Sequence, residues 1–344
     1  MTVAPIVAVA LPLPHNIAFG GRELLAIKTM DALTQLGVDV RPLEYWDRSA
    51  EFRVLHCFGS EGGLWEIAAR AKAQGKAIVV TPVLVLKRSI ARDRAWAHLD
   101  RFVPMRTSFR FRRDLLLLAD AIVAQTETEA KVIRRVFGVP GGRVHVVPNA
   151  VDQSFGASDP AVFRERFGAE PFVLAVGAID ARKAQLDLIE ASSLAGRRAV
   201  IVGDVRGDDG YGVAFAAAVA ANPNVLWIRR LEEGSALMGS AYAAAEAFVV
   251  TSNAEGLPLA ALEARAAGTP LIMTDLPQHE EVFGHVAEFF RPGDVKDLAK
   301  LLRRLPAREH GVMLAVEPSW TWSDVGFAMR QIYRDVCPDV VPIA

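Results

Sequence analysis

Cysteine is scarce in this sequence, and so are the short motifs by which many enzymes bind metals. The two cysteines, Cys57 and Cys337, are far apart and lack metal-ligand spacing, which excludes a disulfide framework and indicates a reducing compartment. The zinc motifs CxxC and HExxH and the phosphate-binding motif GxxxxGK are absent, and the seven histidines form no cluster. We therefore expect no metal or other cofactor.

Strong net charge and long apolar runs are also missing. The 39 Lys and Arg residues nearly balance the 40 Asp and Glu residues, so we expect no general attraction to nucleic acid. No apolar run reaches the roughly 20 residues of a membrane-spanning helix. The first ten residues lack the basic region of a signal peptide. These absences predict a cytoplasmic protein.

Apolar runs of strand length, alternating with helical patterns, are what the sequence contains instead. The 344 residues exceed the size of most single cores, and 51% of them are hydrophobic, which fits two domains built on buried parallel strands. Alternating strands and helices predict an α/β protein with a Rossmann-like, doubly wound parallel sheet in each half. In the second half, strands are predicted at 172–176, 199–202, 225–228, 247–250, 271–274 and 288–290.

One strand–loop–helix–strand unit carries two carboxylates. Glu255 lies in the loop after a predicted strand, and Glu263 lies in a helix predicted over 259–267. Amides of Leu257 and Leu259 at the amino end of this helix would favour an anion such as a phosphate. Alternatively, Glu255 caps the helix and Glu263 is a solvated surface charge.

Two adjacent cations, Arg182 and Lys183, follow the first predicted strand of the second half. Ligands of such sheets bind beyond the carboxyl ends of the strands, where this pair could clamp a diphosphate. A surface pair at a helix start is the alternative. Gly203, after the next strand, indicates either a tight turn or a close approach of the backbone to a ligand. The pair Gly20–Gly21 has the same two interpretations.

The stretch from Lys87 to Arg113 is the strongest local charge asymmetry of the chain. It contains nine Lys or Arg residues against two Asp residues, with four aromatic side chains between them. The stretch predicts contact with an anionic acceptor or with an anionic membrane surface. A solvated surface whose charges are paired internally is the alternative.

Taken in order, several motifs resemble those of the retaining glycosyltransferases of family 4. They are the glycine pair 20–21, the sequence VPNAVD at 147–152, the loop 176–183, the two glutamates separated by seven residues at 255 and 263, and the aromatic segment 319–333. The resemblance implies the GT-B fold, in which two Rossmann-like domains face a cleft. Residues 1–155, joined by 319–344, would form the acceptor-side domain, and residues 156–318 would bind the nucleotide sugar.

The resemblance also implies roles for individual residues. Glu255 would contact the donor sugar, Glu263 the ribose hydroxyls, and Lys183 the departing diphosphate. The arginine of the family is Ala178 here, and Arg182 could substitute for it. The remaining donor-binding positions implied by the resemblance are Gly20, Gly21, Gly177, Gly203, Gly256, Leu257 and Leu259.

A retaining, metal-independent transfer from a UDP- or GDP-sugar to a saccharide or lipid-linked acceptor is the implied reaction, in the synthesis of a cell-surface polysaccharide or glycoconjugate. The family's acceptor-side histidine is Val83 here, which leaves His15, His56 and Arg88 as acceptor-side candidates. A peripheral position at the inner face of the membrane would follow if the stretch 87–113 contacts lipid. A sugar phosphorylase, a nucleotide-sugar epimerase and a catalytically silent partner subunit are the alternatives.

Overall fold

A computed structural model describes residues 7–14, 17, 19–47, 49–87, 107–207, 210–232, 234–306 and 320–338, and every structural statement below concerns these ranges. The chain forms two compact units. The first contains Met1–Ala150 and Trp320–Ala344, and the second contains Val151–Ser319. No helix within the described ranges is long and apolar enough to cross a membrane.

A six-stranded parallel sheet forms the centre of the first unit. The strands of this unit are β1 (Val7–Ala10), β2 (Val40–Pro42), β3 (Val54–Phe58), β4 (Ala77–Thr81), the two-residue β5 (Leu86–Lys87), β6 (Ala121–Ala124) and β7 (Val144–Val146). The sheet order is β2-β1-β3-β4-β6-β7, so the direction in which the sheet grows reverses between β1 and β3. All residues of β1, β3 and β6 are buried, as expected of strands covered on both faces.

Helices cover both faces of this sheet. They are α1 (Gly21–Gln35), α2 (Gly62–Ala73), α3 (Ser108–Leu118), α4 (Glu127–Val136) and, from the end of the chain, α12 (Trp322–Val336). A capping box between Thr321 and Asp324 starts α12. This helix packs closely on α1, since a Cβ at Gly326 would lie 3.1 Å from the carbonyl oxygen of Ala32.

The second unit contains another six-stranded parallel sheet. The six strands of the sheet are β8 (Phe172–Val176), β9 (Arg198–Val202), β10 (Val225–Ile228), β11 (Ala247–Val250), β13 (Leu271–Thr274) and β14 (Ala287–Phe290), and the unit also contains the two-residue β12 (Ala254–Glu255). Its helices are α5 (Ala161–Phe167), α6 (Gln185–Ala195), α7 (Tyr211–Ala221), α8 (Ala236–Ala244), α9 (Leu259–Ala266), α10 (Pro277–Phe283) and α11 (Val295–Arg304). The sheet order is β10-β9-β8-β11-β13-β14, the Rossmann arrangement with its reversal between β8 and β11.

The predicted fold class is confirmed, since each unit is a Rossmann-like α/β domain in which helices pack on a six-stranded parallel sheet. Helix α1 begins at Gly21, whereas the apolar pattern predicts its start at Leu24. Its first turn is Gly-Arg-Glu, which carries no apolar periodicity and therefore gives no signal. Helix α10 has no clear signal in the sequence, because seven residues that begin with proline are too short to show a helical period.

Candidate active site

The reversal point of the second sheet is where its candidate site lies. Strand β8 ends at Val176 and β11 ends at Val250, and the two strands are direct neighbours. The loops that follow them line one recess with Gly177, Lys183, Ser252 and Pro258. Ligands of open α/β sheets bind at such a reversal, beyond the carboxyl ends of the strands.

Two glycines at this edge allow neighbouring loops to approach each other. Gly177 and Gly203 have φ angles of 147° and 152°, which side chains rarely adopt. A Cβ at Gly203 would lie only 2.0 Å from the carbonyl oxygen of Gly177. The contact of two backbones therefore accounts for the glycine at position 203.

The loop after β8 is tied to the loop after β11. The amide of Lys183 donates to Asp180 Oδ1 at 2.8 Å, which closes the turn. The hydroxyl of Thr251 donates to the Lys183 carbonyl at 2.7 Å, and the amide of Asn253 donates to the Arg182 carbonyl at 2.8 Å. These bonds bring the predicted cation pair and Glu255 together, although 72 positions separate Lys183 from Glu255 in the sequence.

Glu255 is the electrostatic centre of the site. Its Oε2 lies 2.6 Å from Lys183 Nζ and 3.2 Å from Arg182 Nη1, and it accepts a hydrogen bond of 3.0 Å from Ser252 Oγ. Burial raises the pKa of Glu255, but the charges of Lys183 and Arg182 outweigh this and bring the pKa to about 2. The carboxylate is therefore ionised at neutral pH, and Oε1 takes part in none of these three contacts.

A buried polar network holds the backbone of the loop that carries Glu255. The amide nitrogen of Gln278 donates to the Glu255 carbonyl at 2.8 Å, and Thr274 Oγ1 donates to the Ser252 carbonyl at 2.8 Å. His279 Nδ1 lies 2.9 Å from the Thr274 carbonyl oxygen, and burial lowers the pKa of this histidine. Sequence reasoning missed these residues, although the positions of Ser252 and Thr274 at strand ends are a usable signal.

Glu263, the second predicted glutamate, is held by a residue that the sequence did not single out. The hydroxyl of Tyr242, on α8, donates to Glu263 Oε2 at 2.7 Å. The ring of Tyr242 is fully buried and makes edge contacts with Phe155 and Phe248. A rigid aromatic residue therefore fixes one carboxylate oxygen of Glu263.

Replacement of Tyr242 by phenylalanine should lower the free energy of unfolding by about 1 to 2 kcal/mol, because a partly buried hydrogen bond to a carboxylate is lost. Urea denaturation measures this change. Nucleotide-sugar affinity should fall a few-fold as Glu263 loses its orientation. The exposed Tyr45 provides the matched control, since its hydroxyl group can be removed by the same substitution at the surface. Equal effects of Y242F and Y45F would contradict the assigned role.

Three of the remaining donor-side predictions, Gly256, Leu257 and Leu259, flank Pro258, which lines the recess. Leu257 is buried, Gly256 and Leu259 are half-buried, and α9 begins at Leu259 directly after Pro258. Among the described residues no side chain caps the start of α9. Gly20 and Gly21 belong to the first unit, where Gly20 is the N-cap of α1 and Gly21 its first residue.

Of the three predicted acceptor-side residues, His56 is the one that the structure describes. His56 has no exposed surface, and its Nδ1 and Nε2 lie 2.7 Å from Tyr333 Oη and 2.8 Å from Thr81 Oγ1. Burial lowers the pKa of His56 to about 3. Contact with an acceptor would require both hydrogen bonds to break, so this arrangement favours a structural role. His15 and Arg88 lie outside the described residues.

The loop after β4 holds the position at which the family histidine is expected. Val83 there has a φ of 49°, a left-handed conformation that is strained for a β-branched residue. Glu129 holds this loop, because its carboxylate accepts the amides of Leu84 at 2.8 Å and Gln125 at 2.7 Å.

Only the two ends of the basic stretch 87–113 are described, since residues 88–106 lie outside the described ranges. Phe109 stacks on Phe137 with ring centroids 5.0 Å apart, and Arg112 Nε donates to Ser60 Oγ at 2.9 Å. These contacts attach the carboxyl-terminal end of the stretch to the first unit. The predicted membrane contact stays a prediction.

Two family models of glycosyltransferases match most of the chain. Residues 27–155 match the family model described as Glycosyltransferase Family 4, and residues 162–310 match that described as Glycosyl transferases group 1. The D-inositol 3-phosphate glycosyltransferase of Nocardia farcinica is 30% identical over 179 residues, which are 48% of this chain and 39% of that protein. The glycogen synthase of Thermus caldophilus is 33% identical over 195 residues, which are 54% and 43% of the two chains. The chain thus matches only about two fifths of these relatives' length.

Solved structures with the same fold cover nearly the whole chain. The sucrose-phosphate synthase of Thermosynechococcus elongatus superposes with a TM-score of 0.72 at 17% identity, over 96% of this chain and 98% of the other. Anabaena HepE in complex with UDP-glucose gives a TM-score of 0.67 at 17% identity, over 98% and 97%. At this identity the likeness concerns the fold.

Proposed function

Because the chain belongs to the glycosyltransferases of family 4, with two Rossmann-like domains of the GT-B type, we propose that it transfers a sugar from a nucleotide-sugar donor to a hydroxyl-bearing acceptor with retention of configuration. The observation that carries the proposal is the cluster of Lys183, Arg182 and Glu255 at the reversal point of the second sheet. This cluster offers both a phosphate-binding charge and a carboxylate that can accept hydrogen bonds from sugar hydroxyls.

The two cations would act on the diphosphate of the donor. Glu255 holds both cations beside the recess, and Arg182 also lies 3.4 Å from Asp180, whereas Lys183 lines the recess itself. A leaving nucleoside diphosphate gains negative charge as the glycosidic bond breaks, and fixed cations in a water-poor recess stabilise that charge. Arg182 would thereby provide the cation that the family's arginine would otherwise supply at position 178.

The two glutamates would orient the donor. Glu255 Oε1 is the oxygen left over by the three contacts on Oε2, and it would accept a sugar hydroxyl. Glu263, fixed by Tyr242, would accept the ribose hydroxyls. With three donors on Oε2, Glu255 is a stabilised anion and a weak nucleophile, which supports displacement on the front face of the sugar without a protein nucleophile.

A thermal-shift screen with UDP-glucose, GDP-mannose and ADP-glucose tests the proposal. HepE was solved with UDP-glucose, which makes a UDP-sugar the first probe. A nucleotide sugar at 100 times its Kd should stabilise the protein by about 2.7 kcal/mol. The E263A variant should bind about tenfold more weakly, whereas E165A, at an exposed position of α5, should bind as the wild type does.

No shift with any nucleotide sugar would overturn the proposal. Donor binding without transfer to any acceptor would instead favour a catalytically silent partner subunit, the reading that the substitutions at Ala178 and Val83 support. The anomeric configuration of the product, followed by NMR as it forms, tests retention.

A further inference from the structure

The first unit has a reversal point of its own, between β1 and β3. The loops that follow these two strands meet there. Gly59, directly after β3, has a φ of 116°, and a Cβ at this position would lie 3.2 Å from Pro12 Cγ in the loop after β1. The same rule that places a ligand at the reversal of the second sheet places one here.

A network of ion pairs occupies this reversal point. Arg22, in the first turn of α1, donates from Nε and Nη2 to Glu23 Oε1 at 3.0 and 2.9 Å, and from Nη1 to Glu61 Oε1. The amide of Ser60 donates to Glu61 Oε2 at 2.8 Å. The network also requires the glycine at position 59, since a Cβ there would lie 2.5 Å from Glu61 Oε2.

The charges and exposures of this network decide which ligand fits it. The side chain of Glu61 is 49% exposed, that of Arg22 is 24% exposed, and that of Glu23 is 3% exposed. A ligand therefore meets the Glu61 carboxylate before it meets the guanidinium. Arg22 already has two carboxylates as partners, and Glu23 also supplies the negative charge that the start of α1 favours. A phosphomonoester could bind Arg22 only after it displaced the Glu61 carboxylate from the guanidinium. The displaced carboxylate would then lie close to the phosphate, and the two negative charges would repel each other.

We propose that this network is the acceptor subsite and that it selects an uncharged, hydroxyl-bearing acceptor. Glu61 accepts a hydrogen bond from an acceptor hydroxyl, and Arg22 holds Glu61 in place. The inference rests on the transferase function proposed above. It separates this chain from an enzyme whose acceptor is a phosphomonoester, the class that the name of the Nocardia farcinica relative indicates for that protein.

Matched pairs of acceptors test the proposal with the full-length protein. The donor is the nucleotide sugar that stabilises the protein most in the screen described above, and the readout is the acceptor-dependent release of nucleoside diphosphate. The acceptors are glucose against glucose 6-phosphate and myo-inositol against inositol 3-phosphate. In whichever pair of compounds the enzyme accepts as substrates, we expect kcat/KM to be at least tenfold higher for the uncharged member.

The E61Q variant provides a readout that a purely structural role would not change. It keeps the shape of the side chain but removes one negative charge, so Arg22 retains only Glu23 as an anionic partner. We expect kcat/KM for the uncharged acceptor to fall about tenfold, and the preference for it over its phosphorylated counterpart to fall at least fivefold. The control is E66Q, the same change at an exposed position of α2, which should alter neither value.

Three results would overturn the acceptor proposal while donor binding persists. The first is a wild-type preference for the phosphorylated compounds, and the second is no stimulation by either uncharged compound. The third is an unchanged preference in E61Q when its thermal shift with the donor equals that of the wild type. If the wild type itself binds no nucleotide sugar, the proposed transferase function would instead be refuted.

Discussion

Replacement of Lys183 by alanine is expected to lower kcat/KM for sugar transfer by about 100- to 1000-fold, or roughly 3 to 4 kcal/mol of transition-state stabilisation. The side chain of Lys183 is mostly buried, its Nζ lies 2.6 Å from Glu255, and it lines the recess that would hold the diphosphate. Its charge matters most when the nucleoside diphosphate departs, so kcat should fall more than KM rises. Initial-rate kinetics over a range of donor concentrations measures both values.

The control for this experiment is Lys300→Ala, which removes a lysine from the exposed face of α11. That variant should retain wild-type kinetics, because any pairing of Lys300 with Asp297 is solvent-screened. Circular dichroism and a thermal melt establish that K183A is folded. A folded K183A enzyme with kcat/KM within threefold of the wild type would remove Lys183 from the proposed mechanism.

The stabilisation that Glu255 provides should disappear in acid. The pKa of Glu255 in the folded protein is about 2, below its ordinary value of 4.5, because Lys183 and Arg182 favour the ionised form. A lowered folded-state pKa means that ionised Glu255 contributes its full stability above about pH 4.5, and that this contribution is lost as the pH falls toward 2. The difference of about 2.5 pKa units corresponds to about 3 kcal/mol.

Urea denaturation of the wild type and of Glu255→Gln between pH 7 and pH 2 isolates this contribution. The variant should be less stable at neutral pH, and the difference in unfolding free energy should shrink by about 3 kcal/mol as the pH falls from 4.5 to 2. Glu165→Gln, on the exposed surface of α5, should give a difference close to zero throughout. A Glu255 difference that stays constant with pH would mean that Lys183 and Arg182 do not stabilise this carboxylate.

The sequence by itself determined the layered architecture and the edge at which the candidate site lies. Strands such as Ala247–Val250 and Leu271–Thr274 are continuous apolar runs, and such runs are stable only when helices cover both faces of a parallel sheet. In parallel strand–helix units all strands end at the same edge, so the loops with Lys183 and Glu255 had to emerge on one side. The boundaries of the six strands in the sheet of the second unit could be predicted within one residue for this reason, whereas the sequence predicts a loop at the two-residue β12.

Only the tertiary structure decided which partners these side chains have. Tyr242 and Glu263 come from different helices, and nothing local in the sequence indicates that the hydroxyl reaches the carboxylate. Ser252, Thr274 and His279 form their network across two neighbouring strands and a short helix, so their contacts depend on the strand order. Hydrogen bonds between distant elements have no sequence period by which they could be recognised.

His56 shows the same limit most clearly. A histidine near the carboxyl end of a strand in the acceptor-side half has the sequence position expected of a functional residue, yet Tyr333 and Thr81 engage both of its ring nitrogens inside the core. The tyrosine comes from the last helix, 277 positions along the chain. The sequence determined that a polar residue lies in this strand, and the packing of α12 on the first unit decided that its ring is buried, because a buried imidazole is stable only where other elements supply its hydrogen-bond partners.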